Sequence, residues 1–369
     1  MKISKIPGLG RFGIFIDDVD FDHITDEEWM EIGRLHLTSL VTILRNVNLT
    51  KEKYQEFIFK WGTDRDIYTY KVCKKYCTPI NTLVKRVKTG DTAGLDQEDI
   101  NWLNTMLNIM VQDDESSKFI RGIMKVTGRR NEKGEPEGMF AEGELLWHSN
   151  ESGNLTFTPG VSLLAKEGVV GSSTGFLTTT DWYENQSESF RSELDEMIIL
   201  HKFTPGKISP GLRKEQEIIV YKNMCPVDNT PVPLVIQSPG GVRGLHYSVN
   251  TVDQIQGMSA AESQKLLERI NKELFVDKFT YDHWYQNDND LVLFDNSITL
   301  HRRLGGITNR LCYRMQFDYS NLIDQPYNPY FQKSFAREYN SEIREIVKYL
   351  DIKDFKLPKR SWTEFVPFL

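Results

Sequence analysis

The sequence predicts a mainly β protein of the sandwich or jelly-roll kind, with helices packed outside its sheets. Between Glu144 and about Ser320, short β-prone runs alternate with turn residues, and only two amphipathic helices interrupt them. Strands of even length with turns between them suit a sandwich or barrel. The chain has 369 residues, 39% hydrophobic and 26% charged, enough apolar material for a sizeable core and inconsistent with disorder or a fibre. Residues 1–369 fit one domain better than two, because no linker separates the early helices from the strands.

Gly13 to Asp18 is a short β-prone run. Thr25 stands three residues before Glu28, a capping box in which each side chain satisfies the other's backbone N–H, and it opens a helix through Trp29, Ile32 and Leu35. Leu40 to Leu44 is a compact apolar run suited to a buried strand. Thr50, followed by Tyr54, Phe57, Ile58 and Trp61 at helical spacing, gives a second helix. From about Asp64 to Pro136 the signal changes to Lys-rich segments, a Gly90-Asp91-Thr92 turn and a helix-like stretch from Asp96 to Met110. Arg129 to Gly138 is charged and punctuated by Gly and Pro. Residues 64–136 therefore read as an insertion or lid.

The β-prone runs that follow are Leu145–His148, Leu155–Thr158, Val161–Leu164, Ile218–Tyr221, Leu234–Gln237, Leu291–Phe294 and Leu311–Tyr319. One helix is expected from about Glu184 to Leu200. Another opens at the Ser259–Glu262 capping box and carries Leu266, Leu267 and Ile270. Pro239-Gly240-Gly241 is a turn signal without the strand and helix context of a phosphate loop.

Lys and Arg number 45 against 52 Asp and Glu, a net charge of −7, which is opposite in sign to the usual footprint of a nucleic-acid binder. No apolar run is long enough to span a membrane, and Met1 to Phe15 lacks the pattern of a signal peptide. The expectation is a soluble, cytoplasmic protein that binds neither nucleic acid nor membrane. Cys73, Cys77, Cys225 and Cys312 are too few for a disulfide scaffold. Cys73 and Cys77 lack a second pair at zinc spacing, so reduced thiols are expected.

The chemistry gathers around Leu145-Leu146-Trp147-His148-Ser149-Asn150-Glu151. On a strand, Leu146, His148 and Asn150 share one face, and Trp147, Ser149 and Glu151 share the other. A histidine followed two residues later by a carboxylate supplies two of three ligands in facial-triad iron oxygenases; here the acid position holds Asn150. Taken alone, a histidine on a strand reads as a hydrogen-bonded packing residue. The second half of the chain adds a strand, an Asx turn and a second histidine in Asn289 to Arg303, ending near His301, with Arg310 and Arg314 beyond. Period-2 reading of the last strand puts Leu311, Tyr313, Met315, Phe317 and Tyr319 on one face and both arginines on the other. The arginines start about 14 Å apart, so one carboxylate is not clamped by both. His201 and His246 lie on or beside apolar elements and read as packing or surface residues, although the loop around Arg243 and His246 is placed to reach a substrate.

At this point the sequence resembles the taurine dioxygenase (TauD/TfdA-like) family of Fe(II)- and 2-oxoglutarate-dependent oxygenases. The resemblance rests on the Gly13-to-Asp20 strand with its Thr-Asp-Glu-Glu helix, the Leu40–Arg45 strand, the Asn48-Leu49-Thr50 helix start, Trp147-His148, the Gly171-Ser172-Ser173-Thr174 turn, Gly257-Met258-Ser259, the Asp290-to-His301 run and the two arginines. It covers most of the chain; residues 64–136 match no part of it. It implies a double-stranded β-helix, cupin-like, with flanking helices. It also implies Fe(II) as cofactor, 2-oxoglutarate and O2 as cosubstrates, and hydroxylation of a small molecule with release of succinate and CO2. Carried over residue by residue, His148 and His301 are iron ligands with Asn150 at the third position and Glu151 as the alternative ligand. Thr174 and Arg310 meet the distal carboxylate of 2-oxoglutarate, and Arg314 meets an anionic group of the substrate. The departure at Asn150 leaves a rival, a catalytically impaired protein that binds 2-oxoglutarate or another ligand on the same fold. Oxidative halogenation, which needs a small residue at the acid position, is poorly served by Asn.

Overall fold

The computed structural model describes residues 1–64, 67–114, 119–138, 143–154, 157–202, 228–305 and 309–323. Their architecture is a jelly roll of the cupin type, two facing sheets with helices outside. The major sheet contains β1 (Lys2–Lys5), β2 (Ile14–Asp17), β3 (Val41–Leu44), β4 (Met110–Gln112), β5 (Phe119–Thr127), β7 (Gly160–Glu167), β15 (Leu291–Asp295) and β17 (Leu311–Phe317). Its order is β1-β2-β3-β15-β7-β17-β5-β4. The minor sheet is built from β6 (Leu145–His148), β8 (Ser173–Thr178), β14 (Thr280–Trp284) and β16 (Thr299–Arg303), in the order β14-β8-β16-β6.

Alternation along the strands sorts side chains into layers. Leu291 and Leu293 of β15 point outward to a core shared with Trp29, Tyr54 and Trp61, whereas Val292 and Phe294 point inward. The outward layer is covered by α1 (Asp26–Ser39) and α2 (Lys51–Trp61). The capping box at Thr25 and Glu28 is formed as expected, and Thr50 caps α2 through the Lys53 N–H. Trp29 and Trp61 stack at 4.4 Å between centroids, and each indole N–H donates to a carbonyl of the facing helix. Beneath them, His36 is buried between Thr42 Oγ1 at 3.0 Å and the Tyr319 hydroxyl at 2.8 Å.

Three helices, α3 (Ile67–Tyr76), α4 (Ile80–Lys88) and α5 (Gln97–Ile109), lie in the segment expected as an insertion. They bury Val72, Cys73, Leu83, Val84, Trp102, Leu103 and Met106 together. Two strands of the same segment, β4 and β5, extend the major sheet, with β5 pairing β17. Gly122, at φ +79°, breaks the alternation of β5, so Ile120 and Ile123 fall in the same core layer. A period-2 search passes over such a strand.

Beyond the minor sheet lie α6 (Thr180–Glu184), α7 (Glu188–Glu196), β9 (Ile198–Lys202), β10 (Asp228–Pro233), β11 (Val235–Gln237), β12 (Arg243–Leu245), β13 (Val252–Ile255) and α8 (Ala260–Leu274). The second capping box, Ser259 with Glu262, is present at the start of α8. The helix expected over Glu184 to Leu200 is instead two helices followed by a strand, because Ile198–Lys202 pairs on both sides with β10 and β13. The Leu155–Thr158 run forms no strand over its described residues; Leu155, Thr156, Ile218–Tyr221 and Cys225 lie outside them. Cys73, Cys77 and Cys312 are free thiols. Among the described residues no helix is long and apolar enough to cross a membrane.

Burial pushes the His36 imidazole down to about 3. An unfolded chain takes up that proton below about pH 6.5 and the folded protein does not, so stability falls as pH drops through 6.5. The stability advantage of wild type over His36→Gln should shrink by about 2 kcal/mol between pH 7 and pH 5, read from denaturant unfolding at each pH. A pH-independent difference would show that the ring is not held neutral.

Candidate metal centre

Antiparallel pairing of β6 with β16 sets His148 directly opposite His301, so both side chains leave the same face of the minor sheet. Their ring centroids are 4.0 Å apart and the rings are inclined at 43°. The register of β16 against β8 pairs Leu300 with Leu177 and His301 with Phe176. Both leucines join the outer satellite core, while Phe176 turns inward. Phe294, from the major sheet, meets His301 at 4.6 Å between centroids.

The protonation of the pair follows from its partners. His148 Nδ1 lies 2.7 Å from the Leu146 carbonyl; a carbonyl only accepts, so Nδ1 carries the proton and Nε2 keeps its lone pair. Burial pushes His148 down to about 4, with Arg303 and Arg314 acting in the same direction. His301 is held well below its ordinary range by burial first, then by His148 and Arg314. Its Nδ1 is buried without a hydrogen-bond partner among the described residues. Both rings are neutral near pH 7, the form that ligates metals.

The strand ends at His148, so strand alternation does not extend to Asn150 and Glu151. Asn150 is half-buried and donates its N–H to Asn296 Oδ1 at 2.7 Å. Glu151 adopts φ +60°, and its Oε2 accepts the Thr158 N–H at 3.0 Å. Among the described residues no three His, Cys, Asp or Glu side chains gather as a metal site. The two imidazoles are neutral donors, and together with an amide oxygen such as that of Asn150 they would make a neutral set compatible with ferrous iron.

Thr174 lies on β8 opposite His283, and its hydroxyl is 3.0 Å from the buried Tyr285 hydroxyl. Arg310 is buried and donates from Nη1 to Ser172 Oγ at 3.3 Å and to the Ser173 carbonyl at 3.2 Å. Its guanidinium thus contacts the residue next to Thr174, where the buried Ser173 hydroxyl has no partner among the described residues. Burial pushes the Tyr285 phenol upward, and Arg310 opposes that shift. Arg314 sits elsewhere, with Nη2 at 3.5 Å from Met124 Sδ and its charge felt by both histidines. The two arginines therefore have different surroundings.

Nothing in the sequence singled out Tyr285, Asn296 or Arg303. Position alone gave a clue to two of them: Tyr285 is two residues past His283 and Arg303 two past His301, each on its partner's face. His201 and His246 are fully buried, with Nδ1 atoms engaged by Thr251 Oγ1 and the Ser297 carbonyl. Arg243 is paired with Asp195 at 2.9 Å.

The family model described as taurine catabolism dioxygenase TauD, TfdA family matches residues 3–316. Among solved structures, AAD-2 in complex with Mn(II) and N-oxalylglycine is similar at TM-score 0.57 and 18% identity, over 86% of this chain and 97% of that one. A taurine dioxygenase from Burkholderia xenovorans is similar at TM-score 0.54 and 18% identity, over 85% and 89% of the two chains. The chain belongs to the TauD/TfdA family, and with it to the 2-oxoglutarate-dependent oxygenases.

Proposed function

We propose that this member of the TauD/TfdA family is an Fe(II)/2-oxoglutarate-dependent dioxygenase that hydroxylates a small molecule, with its metal held by His148, His301 and Asn150. The observation that carries the proposal is the ladder pairing of His148 with His301, two neutral imidazoles on one face with centroids 4.0 Å apart. Glu151 is the weaker choice for third ligand, because its carboxylate is engaged by the Thr158 N–H. Iron, when bound with 2-oxoglutarate and O2, supplies the oxidation, one oxygen atom entering the substrate and the other succinate as CO2 leaves.

The chain's own residues bind and orient. Arg310 and Thr174 take the distal carboxylate of 2-oxoglutarate, a planar guanidinium fork being suited to that group. The Ser172 and Ser173 contacts hold the fork in place. Arg314, whose charge reaches both histidines, meets an anionic group of the substrate. The chain acts as one domain, 1–369, with 64–136 contributing a cover. Support for the cover is that the α3–α5 core packs against Met124 and Leu145, the first touching Arg314 and the second on the strand of His148. A second account, a 2-oxoglutarate-binding protein with little turnover, is favoured by one observation: among the described residues no cluster of three His, Cys, Asp or Glu side chains forms around the histidines.

Titration of N-oxalylglycine into Mn(II)-loaded protein tests the carboxylate subsite. Arg310→Ala should weaken binding roughly tenfold or more, since losing one partner of a charge-assisted pair costs about 2 to 5 kcal/mol. Loss in Arg314→Ala with no change in Arg310→Ala would exchange the two roles.

Asn150→Asp adds one negative charge to the donor set and should tighten Fe(II) by about tenfold or more, equivalent to about 1.4 kcal/mol or more of added attraction. It should also raise 2-oxoglutarate decarboxylation uncoupled from substrate. Metal binding abolished by Glu151→Gln but intact in Asn150→Ala would make Glu151 the ligand. Failure of both wild type and Asn150→Asp to bind Fe(II) would favour the binding protein.

A further inference from the structure

We infer that Asn296 is a positioning residue that fixes the third donor of the metal centre, an inference that rests on Asn150 being that donor. The β6–β16 ladder reaches His148 and His301, and β6 then stops. Two residues further on, at Asn150, the side-chain amide of Asn296, in the connection between β15 and β16, takes over the hydrogen bonding a strand would supply. Its Oδ1 accepts the Asn150 N–H at 2.7 Å, and its Nδ2 donates to the Asn150 carbonyl at 2.9 Å and to the Thr158 carbonyl at 3.0 Å. Both peptide groups flanking the Asn150 α-carbon are thereby tied to the segment that leads into His301. With both planes held, the direction in which the Asn150 side chain leaves the backbone is set relative to His301.

Asn296 is itself held on every side. It is 0% exposed, its backbone N–H donates to the Pro159 carbonyl at 2.6 Å, and its carbonyl accepts the Ser149 hydroxyl. The preceding Asp295 closes an Asx turn onto the N–H groups of Ser297 and Ile298 at 2.9 and 3.1 Å. One acceptor and two donors at this reach are what a short carboxamide offers. A carboxylate would face two carbonyls with no proton to give, and an apolar side chain would remove the partner of three backbone groups, the Thr158 carbonyl buried and the two of Asn150 part-buried.

A double-mutant cycle on Mn(II) affinity tests the inference, with free Mn(II) measured by EPR for wild type, Asn150→Ala, Asn296→Ala and the double variant. Asn296→Ala should weaken Mn(II) binding by roughly tenfold to a hundredfold, the range for residues that orient ligands. The double variant should bind no more weakly than the worse single one, because Asn296 acts only through Asn150. The Co(II)-loaded Asn296 variant should also show a changed visible absorption spectrum with near-UV dichroism intact, which a merely structural loss would not produce. If Asn296→Ala does not fold, Asn296→Ser carries the same cycle. Additive losses, or an Asn296 variant that binds Mn(II) like wild type while Asn150→Ala does not, would overturn the positioning role and leave Asn150 as donor. Asn150→Ala binding Mn(II) as wild type does, or wild type not binding Mn(II) at all, would remove the donor itself and the inference with it.

Discussion

The register of β16 is the constraint on which everything else in the molecule depends. This strand lies between β6 and β8 and must satisfy both neighbours at once. Because side chains alternate strictly along a strand, a slip of one residue would expel His301 from the inner face and push Leu300 into its place. Leu300 is 1% exposed among the satellite helices and strands, so the outer apolar packing enforces the position of an inner polar group. Hydrophobic burial outside the sheet thus determines the geometry of the imidazoles inside it.

The layers divide the work. Outside the major sheet, large aromatic side chains seat α1 and α2, and their polar atoms are satisfied locally, as in the Tyr54 hydroxyl at 2.7 Å from Ser162 Oγ. Inside, apolar residues such as Val292 and Phe294 share the interior with a small polar set: the two histidines, Arg310, Thr174 and Tyr285. Low polarity around the imidazoles keeps them unprotonated, and two arginine charges reinforce that state. An environment that rejects a proton on imidazole also repels a bare divalent cation, and it favours one accompanied by an anion.

Much of this was legible in the sequence where local chemistry decides structure. Thr25 with Glu28 and Ser259 with Glu262 each mark a helix start at the correct residue, since a capping box is complete within four positions. The alternation of Tyr313, Met315 and Phe317 gave the buried face of β17, and the two histidines and two arginines stood out by type. Long-range pairing was not legible. Ile198 to Leu200 suits a helix as well as a strand, and only the partners on either side choose. β5 was hidden by the bulge at Gly122. Asn296 looked like an ordinary turn residue, because its partners at positions 149, 150 and 158 lie more than a hundred residues away in sequence.

The helices α3 to α5 bury their apolar residues chiefly against one another and touch the barrel through a few side chains, among them Phe119, Met124 and Leu145. The strands that carry the histidines draw their register from other neighbours. Drift in the helical unit can therefore accumulate over evolutionary time without disturbing the strands that carry the two histidines, and that unit can change its packing on an unchanged barrel.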